Sequence, residues 1–261
     1  MKKWLNWIVL VLVFSIACGF LSNWQFARRE TKLAAITLVK TNYSLSPVSL
    51  EKLLIDGQLP LPEKSWRRVR VSGKYIPEKT LLVRNRPNDG QAGFEELVPF
   101  ISDNGTLIYV SRGWIPSGSK QDYPDSVPLP SADQTTLIAH LMVEEPVLNR
   151  SAPKGQLATI NIGLANQKTS LASSFDNGYL RMISESPRVG GHLKHMPAPA
   201  TEEGNNLSYA LQWILFALMA AIALIWRIRK DSENEVFGKS SRRQRRSELD
   251  AQYEDETTTV R

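Results

Sequence analysis

The sequence predicts a membrane protein in which two transmembrane helices flank an extracytoplasmic antiparallel β-rich (α+β) domain. Uncharged apolar stretches occupy residues 4–22 and 207–226 of the 261-residue chain. At a rise of about 1.5 Å per residue, each helix reaches roughly 27–30 Å, the hydrocarbon thickness of a bilayer. Between them, residues 23–206 contain short runs that alternate apolar and polar positions, which is typical of β-strands. A chain that crosses twice places both ends on one side and this central section on the other.

The first apolar stretch is predicted to be an uncleaved anchor. A cleaved signal peptide is one alternative, because Lys2 and Lys3 precede the apolar centre, but no small-x-small cleavage site follows it. A lipoprotein signal around Cys18 is a second alternative, although Ser15 stands where such a signal carries an aliphatic residue. Because Cys18 is the only cysteine, the chain forms no internal disulfide.

The basic residues next to the second apolar stretch predict the orientation. Residues 227–230 are basic at three positions, and a further basic cluster lies at 239–246. Positive charge close to a span stays in the cytoplasm. We therefore expect residues 1–3 and 227–261 in the cytoplasm, the latter as a disordered charged tail, in a two-span protein of the plasma membrane. Membrane lipid is an expected partner. Because topology explains the excess of basic residues, no nucleic-acid partner is expected.

Helices are predicted at three places in the central section. Residues 26–40 keep apolar positions on one face, so the first membrane helix is expected to continue into water. Ser46 is predicted as the N-cap of a short helix that ends near Ile55, where an Asp-Gly pair follows. Residues 162–174 are a third helical candidate.

About six strands are predicted, with turns between them. They cover residues 68–73, 80–85, 94–101, 106–112, 135–143 and 178–184. The triplet Asp103-Asn104-Gly105 lies between two apolar runs and predicts a hairpin. The pair Asp89-Gly90 predicts a second tight turn.

Catalytic and metal-binding patterns are sparse. Ser117 and Lys120 fit an S-x-x-K serine-hydrolase pattern, but polar residues and a proline follow where a buried helix should begin. His192 and His195 are spaced three apart and are weak metal candidates, because no carboxylate or cysteine accompanies them and the surrounding Gly- and Pro-rich stretch favours an exposed loop. His140 lies in a strand pattern, where packing or exposure explains it. The residues alone therefore predict no metal site and no enzyme.

The second apolar stretch also contains a polar amide, Gln212. Such a group faces a helix partner or a bound molecule. The small-residue steps Ala217/Ala221 and Ser15/Gly19 would allow two helices to approach closely. The two alternatives are packing of the chain's own helices against each other, and docking on another membrane protein or a lipophilic ligand.

Four motifs occur in a fixed order along the chain. The first-span exit reads W-Q-x-x-R-x-x-x-K at residues 24–32, and the first strand reads V-x-V-x-G-x-Y at residues 69–75. The middle carries R-P at residues 86–87 and R-G-W-I-P at residues 112–116. The second span begins with N-L-x-Y-A-x-Q-W at residues 206–213. Together they resemble the surfeit-locus family of cytochrome c oxidase assembly factors.

The resemblance implies an assembly role rather than catalysis. Members of this family help to place haem a in the largest oxidase subunit, so that subunit and the haem a synthesis machinery are the implied partners. The implied cofactor-binding residues are Trp24, Gln25, Arg112, Tyr209, Gln212 and Trp213. Arg112 is expected to pair with a haem propionate. Packing at a strand-end turn is the alternative for the segment around Arg112.

Asn206 departs from the family pattern. The family has a histidine there, its presumed haem ligand, and an amide does not replace imidazole as a strong axial ligand to iron. Haem a is therefore a possible cofactor without its usual ligand. This departure supports a second hypothesis, a two-span envelope scaffold or sensor whose outer domain binds a protein or peptide.

Overall fold

The computed structural model describes most of the chain, namely residues 2–119, 122–188, 191 and 193–258. The elements in chain order are α1 (Lys2–Asn42), β1 (Val48–Ser49), α2 (Leu50–Leu53), β2 (Arg68–Tyr75), β3 (Leu81–Val83), β4 (Gly93–Ser102), β5 (Leu107–Pro116), β6 (Thr135–Val143), β7 (Gln156–Leu157), α3 (Ile162–Thr169), β8 (Gly178–Ser186) and α4 (Asn206–Thr258). They form two compact units. The helical unit comprises Met1–Leu33 with Glu203–Arg261, and the barrel unit comprises Ala34–Glu202.

Two long helices, α1 and α4, make up the helical unit. Their segments Trp4–Asn42 and Asn206–Asn234 are long and apolar enough to cross a membrane. The expected continuation of the first helix beyond residue 22 is confirmed, since α1 is unbroken to Asn42. The irregular tail expected after residue 226 is not found, because α4 continues to Thr258. This tail contains no proline and is rich in Arg and Glu, which favour helix.

Small residues form the contact between α1 and α4. The Ser22 hydroxyl donates a hydrogen bond of 3.0 Å to the carbonyl of Ala210, and Cys18 and Ala210 are buried. Ala217 is half-buried, as is Ala221, so this predicted small-residue step lies towards the contact. Of the predicted step in α1, Ser15 is half-buried but Gly19 is exposed, and Cys18 and Ser22 are the buried small residues at the contact.

Five strands of the barrel unit close into a ring. Strand β2 pairs with β6, β6 with β8, β8 with β5, β5 with β4, and β4 again with β2. The closure depends on Gly73, which pairs with Ser102 of β4 and with Thr135 of β6. A Cβ atom at Gly73 would lie 2.1 Å from the carbonyl oxygen of Ile101, so only glycine fits there. The close approach of the β4 backbone therefore requires the glycine of the V-x-V-x-G pattern.

All six predicted strands are confirmed, as is the hairpin at Gly105, whose φ is +78°. The prediction of an antiparallel sheet is wrong in part. Strands β5 and β8 pair in parallel, and the two-residue strands β1 and β7 add parallel pairs at the edges. Parallel neighbours are far apart in the chain, so no local pattern reveals them.

The short helix predicted from Ser46 is also corrected. Val48 and Ser49 instead pair with β2, and only Leu50–Leu53 is helical. The parallel pairing with Val69 and Arg70 holds the backbone extended where a cap would have begun the helix. The helix predicted at 162–174 is confirmed in its first half, as α3.

Apolar side chains from all five ring strands fill the barrel. They include Val71, Phe100, Ile108, Leu137 and Leu180. A second apolar cluster, with Leu97, Tyr109 and Leu157, lies under α3. Burial of these side chains, at about 25 cal/mol per Å² of apolar surface, is the main stabilising contribution to the barrel unit.

Candidate functional site

The helix ends beside the Ser22–Ala210 contact carry most of the predicted site residues. Trp24 and Gln25 follow Ser22 on α1, while Tyr209, Gln212 and Trp213 lie within three residues of Ala210 on α4. The fold of the helical unit therefore brings these five residues to the same level of the helix pair. Arg28 stacks its guanidinium over the Trp24 ring, 5.0 Å from the ring centre. We call the five residues Trp24, Gln25, Tyr209, Gln212 and Trp213, which share one level of the helix pair, the collar.

Members of this collar face in different directions. Gln25 and Trp213 are half-buried, and Ala217, one turn after Trp213, is half-buried as well. Gln212 is exposed, and Trp24 and Tyr209 are each 50% exposed. The packing of the chain's own helices therefore uses Trp213 rather than Gln212. The Gln212 amide is left on an outer, apolar helix face, where it is open to a partner.

The donor set of the helical unit does not fit haem ligation by histidine. Asn206 is the first residue of α4, and the three histidines of the chain all belong to the barrel unit. The Cys18 thiol is buried at the helix contact. Imidazole is a common axial ligand of haem iron, and none is available on these two helices.

Arg112 lies inside the barrel and is ion-paired there. Its guanidinium is 2.6 Å from a carboxylate oxygen of Glu96 and 3.4 Å from one of Glu185. Tyr75 closes this cluster by donating a hydrogen bond of 3.1 Å to Glu185. Burial raises the pKa of Glu96 to about 7, Arg112 opposes that shift, and Glu185 adds to it. The predicted propionate contact remains a prediction, and the observed pairing favours the structural alternative for Arg112.

The rest of the middle motif holds the barrel together. The Trp114 indole donates a hydrogen bond of 2.5 Å to the carbonyl of Arg86, and its backbone pairs with Lys194. A Cβ atom at Gly113 would lie 2.7 Å from Leu193, so the glycine permits this approach. Arg86 itself is paired with Glu145 at 2.5 Å and with Glu95 at 3.4 Å. These residues are therefore explained by architecture.

The weak metal and catalytic candidates are only partly covered by the described residues. His192 and Lys120 lie outside the described residues. His195 is exposed, and its backbone carbonyl accepts a hydrogen bond of 3.4 Å from Asn88. Within the described part of the chain, no group of three or more His, Cys, Asp or Glu side chains converges as a metal site.

A group of residues that the sequence did not single out lies on the outer face of the barrel. Arg68 of β2 pairs in register with His140 of β6, which pairs in register with Arg181 of β8. We call these three residues the Arg–His–Arg row. Each belongs to a strand that was predicted, but the row exists only because the three strands are neighbours. Sequence alone gave no signal for it.

The Arg–His–Arg row is covered by two aromatic rings. Tyr43, directly after α1, stacks on the His140 ring at 4.4 Å, and Trp66 approaches the same ring edge-on at 5.9 Å. The end of α1 is fixed by Asn42, whose amide donates to the carbonyls of Glu63 and Ser65. A cavity of about 280 Å³ opens beside the row, and His195 also lines it.

A closed β-barrel unit, two long apolar helices, and aromatic and amide side chains at one level of those helices define the class of protein to which this chain belongs. The profile of the SURF1 family matches residues 12–218. The chain therefore belongs to the SURF1 family.

Several named proteins are similar to it. An uncharacterized SURF1-like protein of Mycobacterium bovis is 30% identical over 227 residues, which cover 85% of this chain and 82% of the relative. The cytochrome oxidase assembly protein SHY1 of Saccharomyces cerevisiae is 29% identical over 122 residues, covering 46% of this chain and 30% of the yeast protein. Surfeit locus protein 1 of Xenopus tropicalis is 28% identical over 142 residues, covering 48% and 43% respectively.

Proposed function

We propose that this protein is a non-catalytic assembly factor for cytochrome c oxidase that assists maturation of the largest oxidase subunit. The observation that carries the proposal is membership of the SURF1 family over most of the chain, together with a yeast relative named as a cytochrome oxidase assembly protein. The implied partners are the largest subunit and the haem a synthesis machinery.

The helical unit supplies the proposed docking surface. Apolar side chains on the outer faces of α1 and α4 are exposed, among them Leu12, Phe20, Leu215 and Ile222. A surface of this kind is stable against lipid or against another membrane protein. The Gln212 amide gives that surface one polar contact point, and interhelical hydrogen bonds of this type contribute about 0.6–2 kcal/mol.

Haem a is proposed as cargo of this protein, with none of the protein's side chains bound to its iron. The collar residues Trp24, Tyr209 and Trp213 offer apolar ring surface, and Gln25 and Gln212 offer amides. Such a surface shields an apolar, reactive molecule without binding its iron. The assembly role would then act during transfer, when the largest subunit supplies the iron ligands.

The proposed topology has both termini in the cytoplasm, the two helices in the plasma membrane and the barrel unit outside. It is supported by the basic residues that follow the second apolar stretch. A periplasm-active reporter inserted at the exposed turn near Asn104 is expected to be active. An inactive periplasmic reporter together with an active cytosolic reporter at the same turn would contradict this orientation.

Deletion of the protein tests the function. We expect low oxidase activity and altered haem a content in membranes of the deletion strain, both restored by the wild-type chain. Gln212→Leu is expected to restore them poorly, while Asn6→Leu, which removes an amide from the other apolar helix, restores them fully. Normal oxidase in the deletion strain would end the proposal.

A second candidate function is a two-span envelope scaffold or sensor, favoured by Asn206 at the family histidine position and by the cavity on the barrel. It predicts that the tagged protein co-purifies with envelope proteins unrelated to oxidase. Co-purification with the largest oxidase subunit would contradict it.

A further inference from the structure

The Arg–His–Arg row places two like charges on one face of neighbouring strands. Adjacent strands lie roughly 4.8 Å apart, so the backbones of Arg68 and Arg181 are about 10 Å apart with His140 between them. Like charges on facing strand positions destabilise a sheet, and opposite charges are the usual solution. The barrel therefore carries an electrostatic cost at this row that its own architecture does not require.

The two arginines of the row differ from Arg86 and Arg112 in their partners. Among the described residues, no carboxylate forms an ion pair with Arg68 or Arg181, while Arg86 and Arg112 each have two. The Nε atoms of both row arginines are buried without a hydrogen-bond acceptor. Within the part of the chain that the structure describes, Arg181 donates only to the Tyr179 hydroxyl, at 3.5 Å. Both side chains are half-buried, and a buried N–H that lacks an acceptor loses free energy of solvation, which a bound anion restores.

Aromatic rings hold the two guanidinium groups in place. Arg68 lies over the Tyr43 ring at 5.8 Å, and Arg181 lies over the Trp66 ring at 5.3 Å. Stacking on a ring leaves the edge of the guanidinium plane, where its N–H donors point, free to bind an oxyanion. The rings therefore orient the cations without satisfying their donors.

The cavity beside the row is lined by both cationic and apolar side chains. It has a volume of about 280 Å³, and Arg68, Arg181 and His140 line it together with Met182, Ile183 and Met196. A free inorganic anion would contact the cationic side chains only. A ligand with an anionic head and an apolar body would use both.

We propose that this cavity binds an organic oxyanion, a carboxylate or phosphate group carried on an apolar body, with Arg68 and Arg181 as the recognition residues. The site belongs to the barrel unit, and it goes beyond the assembly role without depending on it. The head group sits between the two guanidinium groups. The apolar body lies against Met182 and Met196.

His140 makes this binding sensitive to pH. One ring nitrogen, Nδ1, is 2.8 Å from the Trp66 carbonyl, which only accepts hydrogen bonds, so Nδ1 carries the proton and Nε2 is unprotonated in the neutral ring. Burial lowers the pKa of His140 against the effect of that hydrogen bond, and Arg68 and Arg181 lower it further. An anion between the arginines opposes their effect, so affinity is expected to rise as pH falls. His195 is the other titratable histidine at the cavity.

Isothermal titration of the full chain in phosphatidylcholine nanodiscs tests the site, with benzoate and phenyl phosphate as probes and neutral benzamide as the reference. We expect saturable binding of at least one anion and none of benzamide. Arg68→Gln and Arg181→Gln are expected to weaken binding about tenfold or more, the loss of a charge-assisted hydrogen bond. Arg70→Gln, an exposed arginine on the same strand, is the matched control and leaves binding unchanged. Arg68→Lys, which keeps the charge, should bind with intermediate affinity.

Two further arms identify the source of the ligand and the pH sensor. In nanodiscs that contain phosphatidylglycerol, loss of benzoate binding identifies a lipid head group as the occupant, and unchanged binding identifies a soluble organic acid. His140→Gln is expected to remove the rise in affinity at low pH, whereas His195→Gln keeps it. The proposal is overturned if neither anion binds in phosphatidylcholine nanodiscs, or if folded Arg68→Gln and Arg181→Gln variants bind as well as Arg70→Gln.

Discussion

Two pairs of arginines in the barrel unit differ in how their charge is compensated. Arg86 and Arg112 each pair with two carboxylates, and Arg112 is 2% exposed. Arg68 and Arg181 rest on aromatic rings, and no acid pairs with them among the described residues. The first pair belongs to recognisable motifs, and the second pair does not. The two arginines that belong to motifs are therefore the ones that the fold needs. The two arginines whose charge no acid in the described ranges compensates are the ones that we propose for binding a ligand.

The largest expected effect comes from removing one of the two arginines that are paired with carboxylates. Arg112→Ala leaves Glu96 and Glu185 buried without their cation, so we expect a loss of about 3–5 kcal/mol in the free energy of unfolding. Arg70→Ala, on an exposed strand position, should change it by less than about 0.5 kcal/mol. Chemical denaturation of both variants measures the difference. Equal stabilities would show that Arg112 is not part of the architecture.

The pH dependence of stability sharpens the same comparison. The pKa of Glu96 in the folded protein, about 7, lies above its ordinary value of 4.5, so the folded state holds a proton that the unfolded state releases. Its stabilising contribution is complete below pH 4.5 and is lost as pH rises through about 7. Between pH 5 and pH 8 this amounts to a loss on the order of 2 kcal/mol, which Glu96→Gln should abolish. Identical pH profiles for wild type and variant, measured by chemical denaturation, would refute this role.

Arg68 and Arg181, whose charge no acid compensates in the described part of the chain, are expected to contribute little to the free energy of unfolding. Arg68→Gln removes a like-charge neighbour as well as a ring contact, so the free energy of unfolding should change by less than about 1 kcal/mol. Thermal and chemical unfolding measure it beside Arg112→Ala. A loss as large as that of Arg112→Ala would place Arg68 among the structural arginines.

The smallest expected effect is a shift in one titration. Arg68→Gln removes one of the two charges that lower the pKa of His140, so that pKa should rise, while Arg70→Gln should leave it unchanged. The shift is measured by NMR titration of the imidazole resonances. Because the folded-state pKa of His140 is depressed, its contribution to stability is present above about pH 6.5 and is lost as pH falls, opposite in sign to that of Glu96. An unchanged or lowered His140 pKa would refute the electrostatic coupling across the row.

Local patterns were enough to predict the strands but not their neighbours. The alternation in β2 and the hairpin at Gly105 depend on residues close in sequence, and both are confirmed. The parallel pairing of β5 with β8 joins Val110 to Leu180, and the row joins Arg68 to Arg181, so both depend on strand order rather than on local pattern. Of the two acids that pair with Arg112, Glu96 lies 16 residues away on the hairpin partner and Glu185 lies 73 residues away, so the sequence did not indicate that both would meet one buried arginine.

The helix contact shows the same limit on a smaller scale. In α1, Ser15 is half-buried and Gly19 is exposed, while Cys18 and Ser22 are buried. Only the position of α4 decides which small residues pack most closely, and the hydrogen bond from Ser22 to Ala210 identifies them. The distance of each collar residue along its helix is a property of the sequence, and the Ser22–Ala210 contact sets the level at which the two helices meet.

Ring closure at Gly73 also constrains how the chain is made. Strand β2 needs β6 on one side, and β6 in turn needs β8, which ends at Ser186. A growing chain therefore cannot complete its barrel until more than a hundred residues after β2 have been synthesised. During that interval β2 and β5 expose the edges that later pair with β6 and β8, and such unpaired edges favour mispairing and aggregation of the nascent domain.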